Sequence, residues 1–379
     1  MKKFVVLGLA AFAASWTAWG QDGSTKPQPA PEKAKPVIEI AVLLDTSGSM
    51  QGLIDQARAR LWAIVNSLAT TKKDGVAPDL RVALYEYGKS SLPKDTNWIR
   101  QIAPLTDDLD LISKELFALA TNGGEEYCGA VIKRAAEELK WSSGDNFRAI
   151  FIAGNEPFTQ GPVDYREACK LAISKGIIVN TIHCGAQQQA DAGKWTEGAR
   201  LADGQSMNID QNQASLGIVA PQDAKLAELN GRINSTYVPF GAEGKERAKL
   251  QEELDKKAEA AQPSAGSAQR AQAKAGGFYR ASTWDLVDAI KDGKVDLATL
   301  KDEDLPEEMR KMTPEERKDY IAKKSEERAK MQEEIKKLSE EREKYVAEER
   351  KKTAEAGAKS FDEAVQEMLK GQLEKKGYK

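Results

Sequence analysis

The chain has 379 residues, of which 41% are hydrophobic and 30% are charged, and its formal net charge is −3. A chain of this length exceeds one small core, so we expect two or three structural units. The weak net charge gives no field that favours nucleic acid, and the single histidine, His183, argues against a zinc site built from several histidines.

The first residues are typical of an export signal followed by a linker. Two lysines precede a short apolar run, and the small residues Ala18 and Gly20 follow at the positions of a cleavage site. This pattern predicts a signal peptide over residues 1–20 and a periplasmic or secreted mature protein. Residues 21–36 contain four prolines and almost no apolar bulk, which is typical of a linker. No later segment has 18 unbroken apolar residues, so we do not expect an integral membrane protein after cleavage.

Residues 37–215 alternate between strand-like and helix-like segments. The strand-like segments are 37–45, 80–88, 98–105, 147–154, 176–185 and a short one at 206–210, and the helix-like segments are 52–69, 108–120, 125–141 and 165–175. This alternation predicts an α/β fold with a doubly wound, mostly parallel sheet that helices cover on both faces. Such sheets place their sites outside the carboxyl ends of the strands, and Asp45 stands at one of those ends.

The residues after position 215 predict a helical and partly flexible C-terminal region. We expect a connecting region over 216–300, in which the Ala-, Gln-, Ser- and Gly-rich stretch 255–277 is a flexible interruption, and a charged helical tail over 301–379. Within this tail, the segment from Thr313 to Lys352 predicts one helix of about 60 Å, at about 1.5 Å per residue.

A coiled coil is the alternative interpretation of this tail. Its seam would hold Ile321, Met331, Ile335, Leu338 and Tyr345, together with the charged residues Lys324, Arg328 and Arg342. Three charges make a poor dimer seam. We therefore favour a long solvated helix, supported by its own ion pairs or by a partner, and weak self-association through this helix stays open.

The stretch DTSGSM places a carboxylate and two hydroxyls at alternate positions, Asp45, Ser47 and Ser49. Alternate side chains of an extended or tightly looped backbone point the same way, so the three groups can converge. They are hard oxygen ligands, which suit Mg²⁺, Mn²⁺ or Ca²⁺. The alternative is that they are turn residues, with Ser49 capping the following helix. The stretch lacks the lysine of a phosphate loop and the glycine pattern of a nucleophile elbow.

The sequence VIEIAVLLDTSGSM, followed by an amphipathic helix, resembles the opening of a von Willebrand factor type A (VWA) domain with its metal-ion-dependent adhesion site (MIDAS). The resemblance covers roughly residues 37–215. It implies a Rossmann-like domain whose bound divalent ion, Mg²⁺ before Mn²⁺ or Ca²⁺, mediates adhesion. A carboxylate of a protein ligand completes the coordination of the metal in that family.

Two further loops contribute to the site in this family. The second loop, TNGGEEYCGAV, is similar to a subset in which a glycine pair precedes an acid, which points to Glu125 and, as second choice, Glu126. The third loop, FIAGNEPF, has Gly154 where an aspartate is expected, and Asn155 and Glu156 are the nearby oxygen donors. The metal ligands that the resemblance implies are thus Asp45, Ser47, Ser49, Glu125, Glu126, Asn155 and Glu156. A degenerate site is the alternative.

No residue set indicates catalysis. His183 and Cys184 are adjacent on a strand and should point to opposite faces, so they do not form a catalytic pair. Cys128 and Cys169 complete a set of three cysteines, which form one disulfide plus a free thiol or remain small buried hydrophobes.

We therefore expect an exported, non-enzymatic protein that binds a protein ligand in a metal-dependent manner. The alternative is a structural cell-envelope protein with a vestigial metal site that binds partners through its charged helix. A hydrolase using the ion would need Glu125, Glu126 or Glu156 as general base.

Overall fold

A computed structural model describes residues 35–210, 218–353 and 361–379, and one six-stranded sheet lies at the centre of this part of the chain. Its strands are β1 Val37–Asp45, β2 Asp79–Tyr87, β3 Ile99–Thr106, β4 Phe147–Gly154, β5 Ile178–Cys184 and β6 Ser206–Ile209. They lie in the order β3-β2-β1-β4-β5-β6, and only the β2–β3 pair is antiparallel. The predicted α/β fold with a mostly parallel sheet is confirmed.

Twelve helices are present among the described residues. They are α1 Gln51–Leu68, α2 Leu109–Ala118, α3 Cys128–Glu138, α4 Tyr165–Ser174, α5 Gln187–Ala192, α6 Trp195–Leu201, α7 Asp223–Asn234, α8 Gly244–Ala261, α9 Ala265–Ala275, α10 Leu286–Lys291, α11 Pro314–Thr353 and α12 Phe361–Lys375. Helices α3, α4 and α6 cover one face of the sheet, and α1, α2 and α12 cover the other.

Strand β1 is buried on both faces of the sheet. Ile40 and Leu44 pack into the core beneath α1, whereas Ala41 and Leu43 pack into the core beneath α3. This explains why the strand is a nearly continuous apolar run. Asp45 ends the run at the carboxyl edge of the sheet, where its side chain is fully buried.

Helix α12, which the sequence places in the charged tail, packs on the sheet domain. Its side chains Val365, Met368 and Leu369 lie in the same core as α1 and the strands. Polar contacts also tie it down, because the side-chain amides of Gln372 and Asn180 of β5 are hydrogen-bonded at 2.6 and 3.0 Å. The tail therefore supplies one of the helices that cover the sheet.

Helix α9 is buried, although its composition predicts a flexible interruption. Small side chains let it pack against α1, α7 and α8. Arg270 donates to Asp110 of α2 at 2.7 Å, and Lys274 donates to Asp255 of α8 at 2.6 Å. Both cations are fully buried, so distant carboxylates, which composition does not reveal, make this helix part of the fold.

Helix α11 is as long as predicted, but the charges of its seam face the same chain. Arg328 is buried and pairs with Asp285 at 2.7 Å, and Arg342 is buried and pairs with Asp223 at 2.5 Å. Ile335 lies between them in the sequence and is fully buried. The seam thus packs on α7, α9 and α10, and the predicted solvated helix is solvated on its outer side alone.

No helix of the described residues is both long and apolar enough to cross a membrane. The predicted signal peptide and most of the linker lie outside those residues. Cys128, Cys169 and Cys184 are buried free thiols, and burial raises the pKa of each of them. They occupy the fold as small hydrophobes.

Candidate metal centre

Asp45 presents a carboxylate oxygen that lacks a hydrogen-bond partner. Its Oδ1 accepts a hydrogen bond from the backbone N–H of Ser47 at 2.7 Å, while Oδ2 is buried and unpartnered in the described structure. Burial raises the pKa of Asp45 to about 6, although the hydrogen bonds from Ser47 lower it. A buried carboxylate oxygen without a partner raises the free energy of the folded state unless it binds a proton or a cation.

The loop after Asp45 brings the two serine hydroxyls together. Ser47 Oγ lies 3.4 Å from Ser49 Oγ. Ser49 does not cap α1, because Met50 holds the N-cap position and no side chain caps it. The loop is fixed by its backbone, since Thr46 donates to Tyr87 at 2.9 Å and accepts from Asn122 at 3.1 Å. The capping alternative for Ser49 is therefore not realised.

The second loop turns Glu126 toward Asp45 and leaves Glu125 at the surface. Glu126 is 8% exposed, and its pKa is raised to about 7 by burial, then by the charges of Asp45 and Glu156. The nearby Ser47 side chain lowers this pKa. Of the two candidate acids in this loop, the structure brings the second choice to the site.

The third loop contacts Asp45 through a glycine. A Cβ atom on Gly154 would lie 2.9 Å from Asp45 Oδ2 and 2.6 Å from the hydroxyl of Tyr87. No side chain fits there without a shift, so Tyr87 and Asp45 together explain why this position lacks the expected aspartate. Tyr87 was missed by sequence reasoning, although its place at the carboxyl end of β2, paired with Asp45, could have indicated it.

Asn155 and Glu156 follow on the rim. The Asn155 amide nitrogen donates to Ser49 Oγ at 3.3 Å, and its Oδ1 is buried without a partner. Glu156 accepts from Gln160 at 3.0 Å, and its charge raises the pKa of both Asp45 and Glu126. Both residues are thus close enough to act on the candidate centre.

His183 and Cys184 lie on opposite sides of the sheet. His183 packs edge-on against Trp195, with ring centroids 5.5 Å apart, and burial lowers its pKa. Cys184 belongs to the core beneath α1. The two side chains therefore point to opposite faces of the sheet, as the sequence predicts.

The donor set fits a hard divalent cation. In the described residues no lysine or arginine pairs with Asp45, Glu126 or Glu156, so three neighbouring carboxylates lack a counter-charge. No group of three His, Cys, Asp or Glu side chains in this part of the chain is arranged to hold a metal by itself. A metal ion at this edge would therefore also need the serine hydroxyls as ligands, and hydroxyl oxygens suit Mg²⁺ better than zinc or copper.

Comparisons with known proteins give one family match and several similar solved structures. The family model of the von Willebrand factor type A domain matches residues 39–211. Similar solved structures include the conserved hypothetical protein BatB from Bacteroides thetaiotaomicron, at 17% identity and a TM-score of 0.36, covering 46% of this chain and 90% of that one. An aerotolerance-related membrane protein from Bacteroides fragilis has 18% identity and a TM-score of 0.33, over 47% of this chain and 94% of that one.

A third similar structure is proximal thread matrix protein 1 from the mussel byssus, described with a zinc-occupied MIDAS motif. It has 10% identity and a TM-score of 0.33, over 46% of this chain and 41% of that one. A search of curated proteins found no match. Residues 39–211 of this chain therefore form a von Willebrand factor type A domain.

Proposed function

We propose that this protein is an exported, non-enzymatic binding protein whose VWA domain holds a divalent metal ion and, through it, a carboxylate of a protein partner. The observation that carries the proposal is the buried, unpartnered Oδ2 of Asp45, placed among further oxygen donors and acidic side chains that lack a paired cation. Export is supported by the sequence pattern of residues 1–20 alone.

Asp45, Ser47, Ser49 and Glu126 are the residues that would hold the ion, with Mg²⁺ the expected metal. Asn155 and Glu156 lie on the rim beside them, and Glu125 faces outward. Bound there, the ion would act as a Lewis acid with a coordination position for a carboxylate from outside the chain. The chain's own acids neutralise part of its charge, and the fixed loop keeps the serine hydroxyls in place.

The C-terminal helices do not favour the rival function, a structural protein that binds through a free charged tail. Helix α12 buries its apolar side chains on the sheet domain, and α11 buries two arginines on α7 and α10. These surfaces are already occupied within the chain. We therefore assign partner binding to the carboxyl edge of the sheet.

Thermal unfolding with added Mg²⁺, Mn²⁺ or Ca²⁺ tests the metal. We expect the melting temperature of the full chain to rise with metal, and Asp45→Ala to abolish the rise. Asp203→Asn is the matched control, because Asp203 is exposed in the turn that precedes β6, at the opposite edge of the sheet. No response to any of the three ions would contradict the proposal.

A pull-down from envelope extract, with and without a chelator, tests the partner. A metal-dependent partner should be retained by the wild-type chain and lost both with chelator and with Asp45→Ala. Retention that is insensitive to chelator would place the binding surface elsewhere.

A further inference from the structure

A second group of side chains stands on the same rim, next to the candidate metal centre. Trp98, just before β3, meets Tyr127 edge-on, with ring centroids 5.4 Å apart. Burial and then the charge of Glu125, the exposed neighbour of Glu126, raise the pKa of Tyr127. We call Trp98, Tyr127 and Glu125 the aromatic–acid set.

The backbone holds this set in place at a cost. Asn97 and Trp98 are consecutive non-glycine residues in the left-handed region, with φ of 56° and 53°, a conformation that costs such residues free energy. The carbonyl of Trp98 accepts a hydrogen bond from Gly88 at 3.1 Å. Tyr127 rests on Gly161, where a Cβ atom would lie 2.5 Å from the ring. Three loops thus fix the two rings at the rim.

The same arrangement occurs elsewhere in the chain with an arginine in it. Trp62 and Tyr279 form an aromatic pair, and the hydroxyl of Tyr279 donates to Asp110 at 2.6 Å. The guanidinium of Arg270 lies 4.4 Å from the Trp62 ring centroid and 5.3 Å from that of Tyr279, and it donates to Asp110 at 2.7 Å. One cation therefore serves both the rings and the acid.

An arginine also joins a ring and an acid at α4. The guanidinium of Arg166 lies 4.6 Å from the ring centroid of Tyr165 and donates to Glu197 at 3.0 Å. The Tyr165 ring is buried and its hydroxyl lacks a hydrogen-bond partner, so in this example the guanidinium joins one ring to an acid that the ring itself does not contact by hydrogen bond.

A third example joins α11 to the helical region. Tyr237 stacks on Trp284, with centroids 5.4 Å apart, and the guanidinium of Arg328 lies 4.0 Å from the Tyr237 ring. Arg328 also donates to Asp285 at 2.7 Å. In contrast, no lysine or arginine of the described residues forms an ion pair with Glu125.

We propose that Trp98, Tyr127 and Glu125 form a receptor for an arginine side chain of the protein partner, beside the metal-bound carboxylate. The second half of this statement rests on the proposed function, and the arginine receptor itself does not. A planar guanidinium can stack on the rings while its N–H groups bond the carboxylate. A lysine ammonium lacks the flat face and the fork of donors, and an apolar side chain would desolvate Glu125 without pairing it.

The receptor can be tested without metal. In NMR spectra of the full chain, N-acetylarginine methylamide should shift the indole N–H signal of Trp98, which the variant Trp98→Leu identifies. Glu125→Gln should weaken this response by about fivefold, since one charged partner is lost. Glu167→Gln, at an exposed acid on α4, should leave it unchanged.

N-acetylnorleucine methylamide is the matched ligand without a guanidinium, and it should shift the signal far less. No shift with the arginine ligand, an equal shift with the norleucine ligand, or an unchanged response in Glu125→Gln would overturn the receptor. Asp45→Ala should retain the response, so a failure of the metal site is not mistaken for a failure of the receptor.

The link to the partner's carboxylate is tested with immobilised peptides that contain one aspartate and one arginine at varied spacing. In Mg²⁺ or Mn²⁺, at least one spacing should bind about fivefold more tightly than the same peptide with norleucine for arginine. Glu125→Gln should remove that difference and keep the metal dependence. Metal-dependent binding with no arginine preference at any spacing would overturn the inference and leave the proposed function standing. Failure of all peptides with every metal would count against both the proposed function and this link.

Discussion

Asp45 and Glu126 both lie against Gly88, where a Cβ atom would stand 3.0 Å from Asp45 Oδ1 and 2.8 Å from Glu126 Cγ. The charge of Asp45 helps to raise the pKa of Glu126 to about 7, after burial, and the pKa of Asp45 itself is about 6. In the metal-free site the two ionised carboxylates therefore repel each other, and binding of a proton or a cation reduces this repulsion.

We expect these carboxyls to make the metal-free protein less stable as the pH rises from about 4 to about 7. Their pKa is higher in the folded state than in the unfolded chain, so the folded state binds more protons in this range. Asp45→Asn should remove much of the decline and stabilise the metal-free chain by about 3 kcal/mol near pH 7.5. Denaturant unfolding in EDTA as a function of pH measures the difference between the two proteins. A difference that does not grow with pH would contradict the assignment.

Glu126 and Glu125 should differ in their effect on metal binding. Glu126→Gln removes a buried carboxylate beside Asp45 and should abolish most of the thermal stabilisation by Mg²⁺. Glu125→Gln changes an exposed side chain and should preserve it, which makes it the matched control. Calorimetric titration measures the Mg²⁺ affinity of both variants. Equal losses of affinity would contradict the assignment of Glu126, rather than Glu125, to the metal.

The third loop should not accept the aspartate that the family pattern expects. Gly154→Asp would collide with Asp45 and Tyr87 and should destabilise the chain by about 2 kcal/mol or more. Gly154→Ala should show the same steric penalty without the charge. Asn155→Asp, in contrast, adds a carboxylate where an amide already reaches Ser49 and should tighten Mg²⁺ binding by about tenfold. A Gly154→Asp protein that is stable and binds Mg²⁺ more tightly would contradict this account.

The buried ion pairs between α9 and α2 should be essential to the fold. Arg270→Ala leaves Asp110 and Asp255 without their shared cation and should cost about 3–5 kcal/mol in the free energy of unfolding. Lys249→Ala breaks an exposed pair with Glu246 and should leave the free energy of unfolding nearly unchanged. Urea unfolding compares the two variants, and a similar small loss in both would show that α9 is peripheral.

Helix α12 should behave as part of the sheet domain. Leu369→Ala removes a side chain that is 1% exposed and should cost about 2–5 kcal/mol. Lys370→Ala, one position later and exposed, should stay within about 0.5 kcal/mol. The comparison uses one cooperative urea transition, and a separate early transition in Leu369→Ala would instead indicate that α12 unfolds independently.

The sheet could be predicted from the sequence because its strands have local signatures. β4 was predicted over the residues where it is observed, 147–154, and β1 likewise, since both are apolar runs with sharp ends. Because these strands are parallel, their carboxyl ends lie at one edge of the sheet, and Asp45 at the end of β1 lies there too. These features depend on neighbouring residues in the chain.

The remaining features depend on contacts between distant residues. The helix α9 looks unstructured by composition, because the acids that neutralise Arg270 and Lys274 come from α2 and α8. The order of preference between Glu125 and Glu126 could not be settled from a motif, because Glu126 packs against Gly88, a residue of a distant loop. The charges in the α11 seam predict a solvated helix when the helix is considered alone. The acids that allow Arg328 and Arg342 to be buried, Asp285 and Asp223, lie outside that helix.

The position of α12 in the chain has a consequence for biosynthesis. Helices α7 to α11 separate it from β6, so one face of the sheet remains open on the ribosome until these helices have emerged. Closing that face requires pairing of segments far apart in sequence, which slows folding and exposes apolar surface in the meantime. The nascent chain should therefore depend on chaperones during this interval, and a halt in translation before α12 should yield an aggregating species rather than a folded VWA domain.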